Sequence, residues 1–169
     1  MFNIVLVGDK SVGKTNFMSQ HHACEFGLSH KPTRTPTMYT FTFDTNYGPL
    51  VFKVYDFPGN SNVSHIIKIY NPDAAIVMFD LSDHRTFDNA LNCYFKDMGF
   101  NIPAILCGNK ADKCKITKKM FETNNLKCNV DYCLVSAFTT HNIDKPWLML
   151  AQQLTGHKDL VFIERAQSK

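Results

Sequence analysis

The chain has 169 residues and a formal net charge of +3; 44% of its residues are hydrophobic and 20% are charged. This length predicts one domain, residues 1–169, that is large enough to bury a core. The mild charge argues against a nucleic-acid partner or a membrane-surface protein. No apolar stretch is long enough to cross a bilayer, and the last residues offer no cysteine for prenylation. We therefore expect a protein without a membrane anchor.

Apolar runs alternate with amphipathic segments in the order expected of an α/β fold. The strands are predicted at residues 3–8, 38–46, 50–57, 74–80, 102–108 and 130–136. The helices are predicted at 14–23, 62–70, 86–97, 117–124 and 143–155. Turn-forming residues after the second strand predict an antiparallel hairpin. The rest predicts a six-stranded, mostly parallel sheet with one antiparallel strand and helices on both faces.

The carboxyl end of the first strand carries a phosphate-binding motif, G-x-x-x-x-G-K-[ST]. Such a loop turns its backbone N–H groups towards a phosphate, and the following helix points its positive dipole end at the same place. Lys14 would reach the β- and γ-phosphates, and the Thr15 hydroxyl would bind Mg²⁺. The residues predicted to bind nucleotide here are Gly8, Asp9, Lys10, Ser11, Val12, Gly13, Lys14, Thr15 and Asn16.

A second motif, D-x-x-G, follows the third strand as Asp56-Phe57-Pro58-Gly59. By itself this pattern is more often a turn. One hairpin after a phosphate loop, the carboxylate is the expected second support for Mg²⁺, and Gly59 allows the backbone to approach a γ-phosphate.

A third motif, N-K-x-D, follows the fifth strand. Asp112 can accept both N–H groups of guanine, while Asn109 and Lys110 would hold the loop and cover the ring. Ser136 and Ala137, after the last strand, supply backbone that can close over the base. The three motifs together predict a protein that binds GTP and GDP.

These motifs resemble those of the Ras superfamily of small GTPases, and the chain is most similar to the Ran branch. The stretches that carry the closer resemblance are T-N-x-G-P at residues 45–49 and K-P-W-L at 145–148. The resemblance implies the P-loop small GTPase fold and a molecular switch that uses Mg²⁺ and hydrolyses GTP. It also implies a monomer in the cytoplasm and nucleus that serves nuclear transport. Its partners would be transport receptors, an exchange factor and a GTPase-activating protein of the Ran type.

The resemblance assigns further roles by position. Thr33 matches the switch I threonine, so the implied metal ligands are Thr15, Thr33 and Asp56. Phe26 matches an aromatic residue that packs over the guanine edge, although a plain hydrophobic anchor is an equal alternative. The implied catalytic residues are Asn60, Lys14 and Thr33.

Four features of the sequence, one of them a pair of residues, depart from the family pattern. Asn60 stands where the family has its water-orienting glutamine, and a side chain one methylene shorter would miss the water by about 1 Å, at a cost on the order of 10²-fold in rate. Lys10 replaces a glycine and would either stabilise charge or crowd out an activator's arginine; we favour crowding. Phe57-Pro58 stiffens the start of switch II. Phe138 replaces a lysine beside the base, where stacking could substitute for the lost contact.

Three functions remain open. The first is a Ran-like switch with slow hydrolysis. The second is a hydrolysis-deficient GTP-binding mimic or competitor of Ran, which Asn60, Phe57-Pro58 and Lys10 all favour. The third, a Rab-like trafficking GTPase, is disfavoured because the sequence lacks a cysteine near its last residue.

Overall fold

The computed structural model describes residues 1–21, 34–96, 102–113 and 130–163. Its strands are β1 (Phe2–Gly8), β2 (Thr37–Thr45), β3 (Gly48–Asp56), β4 (Ala74–Asp80), β5 (Ala104–Asn109) and β6 (Asp131–Leu134). Its helices are α1 (Lys14–His21), α2 (Val63–Tyr70), α3 (His84–Asn89) and α4 (Lys145–Thr155). A π-helical segment (Ala90–Phe95) continues α3, and a 3-10 turn (Ala111–Lys113) follows β5. The helix predicted at 117–124 lies outside the described residues.

The strands form one six-stranded sheet in the order β2-β3-β1-β4-β5-β6. Strand β2 runs antiparallel to β3, and every other neighbouring pair is parallel. Parallel strands that are covered on both faces have continuous apolar sequences, because every side chain is buried. Strand β1 shows this pattern, since Ile4 to Val7 are all apolar and all buried. Helices α1 and α4 cover one face, where Phe17 stacks on Trp147. Helices α2 and α3 cover the other. The predicted fold class is confirmed.

The predicted hairpin is present and is tighter than the sequence indicated. Thr45 pairs with Gly48, so only Asn46 and Tyr47 form the turn, and Gly48 takes a φ of 101°. The segment that follows α4 returns to this hairpin, because Phe162 bridges Thr45 and stacks on Phe43 with 4.4 Å between ring centroids.

One predicted helix needs correction. The sequence predicts one amphipathic helix over 86–97, but α3 ends at Asn89 and the chain continues with i→i+5 spacing. We attribute this change to tertiary contacts, because side chains on this segment reach the phosphate loop, as described below.

A smaller difference lies before α4, where the left-handed residues Thr140 and Asn142 turn the chain, so that the helix begins only at Lys145. No helix within the described residues is long and apolar enough to cross a membrane.

Candidate nucleotide-binding site

The phosphate loop lies between β1 and α1 at the carboxyl end of the sheet, and two of its glycines are required by close approaches. Gly8 has a φ of 145°, and a Cβ there would lie 2.1 Å from the Met78 carbonyl oxygen. Gly13 has a φ of 98°, and a Cβ there would lie 2.3 Å from Asn109 Nδ2. Side chains at these positions would separate the loop from the strands that support it.

Lys14 is held inside the loop. Its side-chain Nζ donates to the carbonyl oxygens of Gly8 and Asp9, both at 2.8 Å, and the residue is 6% exposed. Burial lowers the pKa of Lys14 to about 8, although the carboxylates of Asp56 and Asp9 oppose this shift. The two carbonyls fix the ammonium group at the position where the motif predicts contact with phosphates.

Thr15 and Asp56 form a pair suited to Mg²⁺. The Thr15 hydroxyl donates to Asp56 Oδ2 at 2.8 Å. Asp56 is fully buried, which raises the pKa of its carboxyl group, and Oδ1 has no hydrogen-bond partner within the described part of the chain. A buried carboxylate oxygen left without a partner is costly, and hard oxygen donors of this kind are the ligands that Mg²⁺ prefers. The residues present therefore fit the metal; Thr33, the other implied ligand, lies outside the described ranges.

Asn109 joins the phosphate loop to the segment expected to close over the base. It is 2% exposed, its Nδ2 donates to the Val12 carbonyl at 2.9 Å, and its Oδ1 accepts from the Ala137 N–H at 2.9 Å. Ser136 is also buried, and its hydroxyl donates to Asp112 Oδ1 at 2.5 Å. These contacts bring the residues of the third motif against the phosphate loop and leave Asp112 exposed in the 3-10 turn that follows β5.

Lys110 extends the same connection with its charged end. Its Nζ donates to the Ser11 carbonyl at 2.9 Å and to Asp80 Oδ2 at 2.6 Å. Burial alone would raise the pKa of Asp80, but hydrogen bonds from Lys110 and Ser82 lower it overall. No motif indicated Asp80; its position at the carboxyl end of β4 was the one available signal.

Three other predicted binding residues have different placements. Phe138 is 80% exposed immediately after Ala137, so its ring is available at the edge of the base-binding loops. Asn16 is exposed in the first turn of α1. Phe26 lies outside the described residues.

The start of switch II packs directly on the phosphate loop. A Cβ at Gly59 would lie 2.4 Å from the backbone nitrogen of Lys10, so only glycine allows this approach. Asn60 follows with a left-handed φ of 65°, and its Oδ1 accepts from the Lys10 N–H at 3.3 Å. Lys10 and Asn60, which the sequence analysis gave as two separate departures from the family pattern, are therefore in contact.

Asp9 makes contacts that the sequence did not predict. Its Oδ1 accepts from the Tyr94 hydroxyl at 3.0 Å, and its Oδ2 accepts from Asn89 Nδ2 at 2.8 Å. Burial, and then the charge of Asp9, raise the pKa of Tyr94. The carboxylate therefore faces the π-helical segment, and no motif covers the residues that hold it.

A parallel sheet with a phosphate loop after β1, a Thr–Asp pair suited to Mg²⁺ and an N-K-x-D loop after β5 defines the class of P-loop GTP-binding proteins. A family model described as Ras family matches residues 3–156. The chain therefore belongs to the Ras family, whose members are small guanine-nucleotide-binding switches and, in general, GTP hydrolases.

Proposed function

We propose that this protein is a Ran-like switch that binds GTP and GDP with Mg²⁺, hydrolyses GTP slowly and serves nuclear transport in the cytoplasm and nucleus. The Ran-like stretches at 45–49 and 145–148 support the branch. The first forms the turn of the β2–β3 hairpin and the second opens α4. Transport receptors, an exchange factor and a GTPase-activating protein of the Ran type are its proposed partners.

The hydrogen bond between Asn60 and Lys10 carries the proposal of slow hydrolysis. Bound Mg²⁺ would offset the negative charge of the phosphates, and Lys14 would stabilise charge that develops in the transition state. Asn60 would have to orient the attacking water, but its side-chain acceptor is engaged by the Lys10 N–H. A poorly oriented water would reduce an unaided rate that is already about 10⁻⁴ s⁻¹ in this family.

The side chain of Lys10 supports the same conclusion for activated hydrolysis. Lys10 is exposed, and its Cγ lies 2.5 Å from the position of a Cβ built at Gly59. Its stem therefore passes across the start of switch II, on the side where an activator would insert an arginine. We propose that it crowds out that arginine, because a second cation there is also repelled.

A GTP-holding competitor of Ran is the second candidate, and the burial of Phe57 favours it. Phe57 is 3% exposed, donates its N–H to the Leu6 carbonyl at 3.2 Å and meets Tyr70 edge to face with 5.0 Å between ring centroids. These contacts fix the first residue of switch II and reduce its freedom to rearrange around a γ-phosphate. Such a protein would occupy the partners of Ran and remain in its GTP form.

Single-turnover GTP hydrolysis with Mg²⁺ separates the two candidates. The parent is compared with Asn60→Gln, which restores the longer amide, and with Asn60→Gly, which keeps the left-handed backbone and removes the amide. We expect slow hydrolysis in the parent, recovery of about tenfold or more in Asn60→Gln, and none in Asn60→Gly. A parent rate near the ordinary family value would refute the role given to Asn60, and a parent with no measurable turnover would favour the competitor.

Binding of a Ran-type transport receptor tests the branch. The protein is loaded with GDP or with a GTP analogue that cannot be hydrolysed, and receptor binding is measured for each form. The proposal expects stronger binding of the GTP-analogue form. Equal binding or no binding in the two forms would contradict the Ran-like role while leaving nucleotide binding intact.

A further inference from the structure

Asp80 is a carboxylate whose backbone and side chain are both held in place at the carboxyl end of β4. Its residue pairs with Asn109 of β5, and its N–H donates to the Thr86 hydroxyl at 2.9 Å. Its Oδ1 accepts from the Ser82 N–H at 2.8 Å and from the Ser82 hydroxyl at 2.6 Å. These contacts use one oxygen of the carboxylate and fix the direction in which the other, Oδ2, points.

The side chain of Lys110 is anchored at both ends. Its backbone takes a left-handed φ of 63° directly after β5. Its ammonium group donates to Asp80 Oδ2 at 2.6 Å and to the Ser11 carbonyl at 2.9 Å. The Asp80 side chain is 10% exposed and that of Lys110 is 32% exposed, so water screens this ion pair less than it screens a surface pair. The ammonium group therefore joins β4, the N-K-x-D loop and the phosphate loop.

We propose that Asp80 is a positioning residue that holds the stem of Lys110 where it covers the guanine ring, and thereby slows release of the nucleotide. The inference rests on the proposed function, because it requires the protein to bind guanine nucleotide. A lysine side chain loses much rotamer freedom when it is fixed. Asp80 fixes the stem before the nucleotide arrives, so binding does not have to supply that cost.

The Ser11 carbonyl would not hold the ammonium group by itself. Ser11 is exposed, so water competes for the same donor. Its carbonyl is also a neutral acceptor, and a hydrogen bond to an ionised group is roughly twice as strong as one between neutral groups. Loss of the Asp80 charge would therefore release the stem of Lys110 and weaken the contact between the N-K-x-D loop and the phosphate loop.

Removing the charge of Asp80 tests the proposal. Asp80→Asn keeps the shape of the side chain and an acceptor for Ser82, while Lys110→Met keeps an unbranched stem and removes the ammonium group. Asp83→Asn is the matched control, because it also removes a carboxylate from an ion pair, with Arg85 at 2.9 Å, but at an exposed site. The dissociation rate of a fluorescent GDP analogue is measured for the parent, the three single variants and the double variant Asp80→Asn/Lys110→Met.

A second measurement needs no nucleotide. The ¹H–¹⁵N signal of the Lys110 ammonium group, assigned by its loss in Lys110→Met, is recorded for the nucleotide-free parent and for Asp80→Asn. The parent should show the signal, because the ion pair protects the ammonium protons from exchange with water. Asp80→Asn should broaden or lose it. This measurement still decides the question if Lys110→Met binds the analogue too weakly for a rate to be measured.

Asp80→Asn is expected to raise the dissociation rate about three- to tenfold, the range that ordering one mobile side chain on binding spans. Lys110→Met should raise the rate at least as much. In the Lys110→Met background, Asp80→Asn should change the rate by less than about twofold, since no ammonium group remains to be held. Asp83→Asn should match the parent.

Three results would overturn the positioning role: an unchanged dissociation rate in Asp80→Asn, an equal rate increase in the Lys110→Met background, or an ammonium signal that is the same in the parent and Asp80→Asn. The second result would mean that Asp80 acts through stability and not through Lys110. If the parent binds no GDP analogue, the proposed function fails and the positioning role with it. If the parent binds and releases the analogue but Asp80→Asn behaves like Asp83→Asn, the positioning role alone is wrong.

Discussion

Asn109→Ala should destabilise the protein strongly, because one buried side chain joins two loops. The substitution removes the donor to the Val12 carbonyl and the acceptor of the Ala137 N–H. Both hydrogen bonds are buried and 2.9 Å long. The variant therefore leaves one carbonyl and one N–H group in the interior without their partners.

The magnitude follows from those two groups. An unsatisfied buried polar group costs about 1–3 kcal/mol, and partial relaxation of the loops reduces the sum, so we expect a loss of about 3 kcal/mol in the free energy of unfolding. For a chain of this size, that corresponds to a fall in Tm of about 6–12 °C. Affinity for GDP should fall as well, since the phosphate loop loses a contact that orders it.

Urea unfolding of nucleotide-free protein measures the loss without any contribution from ligand binding. The control is Asn46→Ala, which also removes two side-chain hydrogen bonds to backbone, to the Asp159 carbonyl and from the Val161 N–H. These bonds are exposed, so water replaces them and the cost should stay below about 1 kcal/mol. Equal losses in the two variants would refute the argument that burial makes Asn109 a joint between the loops.

Two further predictions concern α1 and its surroundings. Gly13→Ala should abolish measurable GDP binding, since the added Cβ would lie 2.3 Å from Asn109 Nδ2 and φ is 98°; binding at parental affinity would contradict this. Stability should fall as the pH drops below about 6.5. The reason is that burial lowers the pKa of His21, while Asp144 opposes the shift, so the unfolded chain takes up a proton before the folded one does. His21→Gln should flatten this dependence in urea unfolding from about pH 7 to pH 5, and an unchanged slope would exclude His21 as its source.

The fold could be predicted because its signals are local. Residues Ile4 to Val7 form a continuous apolar run in the first strand, and each of the three motifs lies at a strand end, where parallel sheets place their ligands. The change to π-helix at Ala90 could not be predicted in this way. It serves the contact of Tyr94 with Asp9, which lies 85 positions earlier in the chain, and a pattern of helical period does not reveal such a contact.

The candidate site was predictable where a residue type has one chemical use. Lys14, Thr15 and Asp56 come together as the motifs indicate. A phosphate loop after the first strand and a carboxylate at the end of the neighbouring strand lie at the same edge of the sheet. The side chains that hold these residues were not predictable. Asp80, Asn89 and Tyr94 belong to no motif, and each acts through a partner on another element.

The departures at positions 10 and 60 are one structural feature rather than two. Asparagine is among the few residues with a side chain that occupy the left-handed region readily, whereas other L-residues pay about 1–2 kcal/mol there. At a φ of 65°, the short side chain of Asn60 reaches the Lys10 N–H. Glutamine would be strained in this conformation and would gain by leaving it, which also breaks the contact with Lys10. The identity of residue 60 thus has two effects. It sets the length of the side chain that carries the amide, and it decides whether the backbone stays in the left-handed conformation that holds the amide against the Lys10 N–H.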